Sequence, residues 1–315
     1  MKRSLLVAAP LVGALVLAGC GGTSEADSSG SPEPGALPVV AAFYPLGYAL
    51  ERVGGKRVDV TSLTKPGAEP HDVELTPRDV ADLARSSLVV YEKGFQPAVD
   101  DAISSQVDTA KALDVATEVD LTVAATDDGH DHGGGEEHGD EGDVDPHFWL
   151  DPTRYASAVK AIAEKLAAVD PAGATAYRAN AETMVAELTT LDTEFTTGLR
   201  TCTNRDLVTG HVAFAYLADR YDLHQSGVSG LSPDAEPNAA TMKDIVEHVR
   251  EHKVTTIYAE PLVSRDLTET IAKESGATVA VLDPIEGLSK ASAGSDYFEI
   301  MRSNLTALRK GLGCS

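Results

Sequence analysis

The stretch DPAGATAYRANAETMVAELTTLDTEFTTGLR, Asp170–Arg200, breaks the pattern of the chain on either side of it. Tyr177, Met184, Leu188, Leu191, Phe195 and Leu199 recur at helical steps and mark one apolar face. Asp170 and Pro171 read as a cap and a first helical residue. A helix from Pro171 to Arg200 would be about 45 Å long at 1.5 Å per residue. That is long for a helix inside one domain and suits a rigid connector between two lobes. A shorter helical stretch precedes it from Asp151-Pro152, with Val159, Ile162, Leu166 and Val169 on one face.

Outside this connector, short apolar runs alternate with helical patterns. VVAAFYP, VDVTSL, LVVYEK and ALDVATEV read as strands before it; DLVTG, LHQSGV, VTTIYAEP and TVAVLDP read as strands after it. TPRDVADLARSS opens with a Thr cap and Pro at the first helical position. Strands separated by helices predict mostly parallel sheets covered on both faces. The expected fold is α/β, with two parallel-sheet lobes joined by one long rigid helix. The expected divisions are an N-terminal lobe at 38–151, connecting helices at 152–201 and a C-terminal lobe at 202–315.

The 315 residues are 43% hydrophobic, enough for one large domain or two of ordinary size. A formal net charge of -23 argues against a nucleic-acid phosphate binder, which needs basic patches. It favours a surface that attracts cations. Lys2 and Arg3, the apolar run Leu5–Leu17 and the box LAGC at Leu17–Cys20 read as a lipoprotein signal. Cleavage would remove residues 1–19, and the Cys20 sulfur would carry the lipid. The apolar run is too short to span a membrane comfortably. Residues 20–37, rich in Gly, Ser, Pro and acids, have the composition of a disordered tether. Cys202 and Cys314 then remain, and an exported protein in an oxidising environment would join them as a disulfide.

Ligands of open α/β sheets bind beyond the carboxyl ends of the strands. His71 follows VDVTSL, His211 follows DLVTG and Asp283 ends TVAVLD, while His147 lies in DPHFWLDP just before the connector. Three imidazoles and one carboxylate make a tetrahedral Zn2+ set, and imidazole donors favour zinc over Mn2+ and Mg2+. Upstream of His147, the loop at 127–145 carries His130, His132 and His138 among acids and glycines. No apolar residue in Gly129–Asp143 fixes their geometry, so they read as an accessory, weakly binding element. HVREH, His248–His252, satisfies an inverted zinc-protease pattern, but its histidines flank the stripe of Met242, Ile245 and Val249. It reads as the solvated edge of a short helix.

PGAEPHDVELTP, DPHFWLDP, GHVAFAYLADRY, SPDAEPNA and LDP, in that order, resemble motifs of the metal-binding solute receptors of bacterial ABC transporters, in their zinc-specific branch. The resemblance runs from about Leu37 to Leu312. It implies a monomer with metal in the cleft between two lobes, which delivers Zn2+ to a membrane permease and its ATPase without bond chemistry. It places the ligands on His71, His147, His211 and Asp283. Manganese-type members carry a carboxylate where His211 stands, so His211 points to zinc. In some members water replaces the carboxylate ligand, which makes Asp283 the least secure of the four. Three other readings remain open at this point: a manganese receptor of the same fold, a surface zinc scavenger or adhesin, and a zinc hydrolase with Glu69 as a nearby carboxylate.

Overall fold

The computed structural model describes residues 32–122, 144–233 and 237–315. Cys20 and the leader, most of the tether, and His130, His132 and His138 lie outside the described residues.

The first lobe is built from β1 (Leu37–Ala41), α1 (Tyr44–Gly54), β2 (Val58–Ser62), α2 (Pro77–Arg85), β3 (Leu88–Tyr91), α3 (Pro97–Gln106) and β4 (Ala112–Asp114). Its strands are all parallel, in the order β2-β1-β3-β4. Val39, Val40, Val89 and Val90 are buried, as expected where helices cover both faces of a parallel sheet. The Thr76 hydroxyl accepts from the Asp79 amide, and the Asp79 carboxylate accepts from the Thr76 amide, so α2 starts on a complete capping box. The fourth strand is shorter than the apolar run suggests. Asp114 accepts from the Ala116 amide and turns Val115–Thr117 into a 3-10 turn.

The connector is α4 (Pro152–Val169) and α5 (Ala174–Leu199), packed against each other. At 26 residues α5 is about 39 Å long. It begins three residues later than the periodicity suggests, because Pro171–Gly173 form a 3-10 turn. The Asp170 carboxylate is not used as a cap; it accepts from Arg57 and from the Tyr177 hydroxyl. The stripe from Tyr177 to Leu199 is buried throughout. It packs on α1 of the first lobe and on two helices of the second.

The second lobe repeats the topology with β5 (Asp206–Thr209), α6 (Ala215–Tyr221), β6 (His224–Gly227), α7 (Ala239–Glu251), β7 (Thr256–Ala259), α8 (Asp266–Ser275), β8 (Thr278–Val281) and α9 (Tyr297–Gly311). The order is β6-β5-β7-β8, again parallel. Cys202 and Cys314 are bonded across a separation of 112 residues, which ties the end of the chain to the start of this lobe. Among the described residues no helix is long and apolar enough to cross a membrane.

One apolar core runs from Val39 to Leu312 through both lobes and the connector. Behind the cleft it is aromatic: the Tyr297 ring lies 4.7 Å from Tyr155 and 6.2 Å from Tyr48. Tyr155 donates to the Pro45 carbonyl and Tyr297 to the Trp149 carbonyl, so even their polar tips are satisfied. Wide separation of the lobes would expose these rings, at about 25 cal/mol per Å² of apolar surface. The connected core therefore favours small movements at the cleft.

Candidate metal centre

Four side chains from both halves of the chain meet in the cleft. His71 lies in the loop after β2, where Gln96 donates to the Pro70 carbonyl and to the Thr64 hydroxyl. His147 leads into the fully buried turn Phe148–Leu150. His211 follows β5 by two residues, at the point where the chain order of the second sheet switches sides. The fourth member is Glu286. Its Oε1 stands 3.2 Å from His71 Nε2, 2.9 Å from His147 Nε2 and 3.2 Å from His211 Nε2. His147, His211 and Glu286 are buried, while the side chain of His71 keeps 10% of its exposure. The donor atoms of all four lie within 4.8 Å of one another, a spacing a single ion can close.

Carboxylates behind two of the imidazoles set their orientation. Asp145 Oδ1 accepts from both the His147 amide and His147 Nδ1, each at 2.8 Å. Glu260 accepts from the His211 amide through Oε1 and from His211 Nδ1 through Oε2, at 2.9 and 2.6 Å. Protonation at Nδ1 leaves each Nε2 lone pair for a metal and raises its basicity. Gly210 permits this approach, since a Cβ there would meet Glu260 Oε1 at 2.6 Å. Glu69 serves His71 differently, accepting from its backbone amide.

Asp283 is not in the cluster, and Glu286 takes the place the sequence suggests for it. The Asp283 carboxylate is occupied in a turn, where Oδ1 accepts from the Ile285 amide at 2.8 Å. Asn304 holds the Asp283 backbone on both sides, and Trp149 Nε1 donates to the Pro284 carbonyl. Ile285 has φ +58°, a left-handed conformation that costs a β-branched residue about 1–3 kcal/mol. These contacts hold the strained turn, and the turn carries Glu286 into the cleft. Asp283→Asn, which keeps the Oδ1 acceptor, should leave zinc affinity within about threefold of the parent. Asp283→Ala should weaken it by about 10-fold or more, the scale of lost outer support. A loss in Asp283→Asn as large as that in Glu286→Ala would put Asp283 on the metal.

Sequence reasoning also does not single out Glu260 and Asp145, the carboxylates in contact with His211 and His147. Each had a signal: Glu260 directly follows β7, and Asp145 precedes His147 by two residues.

Burial lowers the pKa of His71 despite its contact with Glu286. Burial also pulls on His147 and His211, but the carboxylates overcome it. Asp145 and Glu286 raise His147, and Glu260 and Glu286 raise His211 well above the usual imidazole range. Burial opposes the charge on Glu286, yet the surrounding imidazoles hold it well below the usual carboxylate range. Protons and a cation therefore compete for the Nε2 positions of His147 and His211. A cation must displace Nε2 protons, so binding should release protons at pH 7, from His211 above all. Affinity should climb with pH until the raised imidazoles are neutral and then level off. Titrations in buffers of different ionisation enthalpy measure this, and no proton release at pH 7 would contradict it.

The remaining candidates are elsewhere. His248 and His252 cluster with Asp206 at the amino-terminal ends of the second sheet, and Glu251 is not in that group. His224 also lies there, opposite Asp206 in the register.

A family model described as zinc-uptake complex component A, periplasmic, matches residues 39–311. The zinc-binding lipoprotein AdcA of Streptococcus pneumoniae R6 is 34% identical over 315 residues. That alignment covers 98% of this chain but 61% of AdcA, so the chain spans less than two thirds of that relative. The high-affinity zinc uptake system protein ZnuA of Bacillus subtilis 168 is 34% identical, with 95% of this chain and 94% of the relative covered. The Zn(II)-bound ZnuA-like domain of S. pneumoniae AdcA superposes with a TM-score of 0.71 at 32% identity, covering 88% of this chain and 99% of that domain.

Proposed function

Because the chain belongs to the periplasmic zinc-uptake component A family, we propose that it is the extracytoplasmic Zn2+ receptor of an ABC importer. The observation that carries this reading is the buried meeting of His71, His147, His211 and Glu286, with Asp145 and Glu260 behind two of the imidazoles. Three imidazoles and a carboxylate suit zinc, whereas Mn2+ and Mg2+ prefer oxygen donors. Four protein donors fill a tetrahedral shell, which is the arrangement of a site that holds its ion. A hydrolytic zinc needs an open position for water.

The residues divide the work of capture. The acidic surface draws the cation in, and the buried donors replace its water. Glu286 supplies one negative charge directly, and Asp145 and Glu260 supply more through the imidazoles. Protons left on Nε2 favour release, so acidification lowers the hold. Delivery would be to a permease and its ATPase, with the body held near the membrane through lipid on Cys20. The His130, His132 and His138 segment is an accessory collector in this reading.

Competitive calorimetry with Zn2+ and Mn2+ on the lipid-free chain tests the ligand, and one tight Zn2+ equivalent with weaker Mn2+ is the expected outcome. Deleting the gene in a strain without a second zinc receptor should stop growth in zinc-depleted medium. Tighter Mn2+ binding, or unimpaired growth, would overturn the proposal.

A further inference from the structure

A second group of metal-ligating side chains lies at the other end of the second sheet from the cleft. Asp206 opens β5 and His224 opens β6, and the two are register partners. His248 and His252 stand one turn apart at the end of α7. Asp206 Oδ2 contacts His252 Nδ1 at 3.3 Å. Asp206 Oδ1 lies 3.8 Å from His224 Nδ1 and 4.0 Å from His248 Nε2. The His248 and His252 rings stack at 4.1 Å and 22°, and each brings a ring nitrogen within 4.0 Å of the Asp206 carboxylate. Donor atoms of Asp206, His248 and His252 all fall within 4.8 Å of one another.

The backbone holds this arrangement in place. Ile245, Val246 and Val249 bury one face of α7 in a core with Val208 and Ile257 of β5 and β7. Asn204 ties the strand to the helix end: Oδ1 accepts from the Asp206 amide at 2.8 Å, and Nδ2 donates to the His252 carbonyl at 3.2 Å. Asp206, His224 and His252 line a groove of ≈ 650 Å³ open to solvent. His211 is five residues beyond Asp206, about 16 Å away along an extended strand.

We propose that Asp206, His248 and His252, with His224 as a fourth donor, form a second binding site for a divalent cation of the Zn2+, Cu2+ or Ni2+ type. Imidazole nitrogens select these ions over Mg2+ and Ca2+, and a histidine pair one helical turn apart can chelate one ion. The carboxylate supplies the charge. Side-chain exposures of 72% for His224 and 48% for His252 leave room for water on the ion and for direct exchange with solvent. The site is therefore weaker than the cleft and fills after it.

The test uses the full chain with His130, His132 and His138 replaced by serine, so that the acidic loop contributes no imidazole. After one Zn2+ equivalent is bound, calorimetry should detect a second, weaker one. In the same protein carrying His248→Ala and His252→Ala, the stoichiometry should fall from two to one while the first equivalent is unchanged. The unchanged first equivalent shows that the variant is folded. With Cu2+ as the probe on zinc-loaded protein, electron paramagnetic resonance should show nitrogen couplings from the second site that vanish in the double variant. A single equivalent in the parent, or a second that survives the double substitution, would overturn the proposal.

Discussion

Glu286→Ala should lower zinc affinity by more than about 100-fold, beyond the 10–100-fold typical of losing an outer-shell partner. The carboxylate is buried, and its Oε1 lies within hydrogen-bond distance of all three cleft imidazoles. Without it the site must hold a dication on neutral nitrogens in a desolvated cleft. The metal-free state changes as well. Glu286 is among the charges that raise His147 and His211, so the variant should release fewer protons when zinc binds. His211→Ala should produce a loss of the same order for a different reason, since it removes a donor and leaves Glu260 buried without its imidazole partner. Competition against a chromophoric zinc chelator measures both. An affinity within threefold of the parent for Glu286→Ala would remove Glu286 from the metal.

The second large effect is on stability. Replacing Cys202 and Cys314 by serine should cost about 2–5 kcal/mol and lower the melting temperature by on the order of 10 °C. The bond closes a loop of 112 residues, for which chain entropy alone gives about 5 kcal/mol. The upper end is not expected, because the backbone already holds the junction. Thr203 and Asn204 amides donate to the Leu312 carbonyl, and the Cys314 amide donates to the Arg309 carbonyl. His211 and Glu286 both lie inside the closed loop, while His71 and His147 lie outside it. The variant should therefore still bind zinc when folded but unfold at lower temperature in both metal-free and loaded forms. Calorimetric melting of the parent and the double serine variant checks this, and coincident melting curves would contradict it.

How much of this was legible in the sequence differs from element to element. The stripe from Tyr177 to Leu199 identified the connector because burial of one helical face has a period that survives any tertiary detail. His71 and His211, which the structure brings into one cluster, are legible because parallel sheets gather side chains beyond their strand ends. Glu286 was not, because its position depends on Ile285 at φ +58°, a conformation that isoleucine does not advertise. Reading on from the end of a strand stops at Asp283-Pro284, and only the contacts of Asn304 and Trp149 show that the turn continues inward. Asp170 failed as a cap for a related reason: Arg57, distant in sequence, claims its carboxylate. HVREH was read from its own helix as a solvated edge. What gives it a candidate role is Asp206 and His224, which strand pairing delivers from elsewhere in the chain.

In the proposed receptor the tight zinc is held by His71, His147, His211 and Glu286. Anomalous diffraction at the zinc edge, on crystals of the chain loaded with one equivalent, tests it most directly. One strong peak is expected about 2.0–2.2 Å from the Nε2 atoms of the three histidines and from a Glu286 oxygen. A peak coordinated by Asp283 with Glu286 turned away, or a single peak outside the cleft, would contradict it.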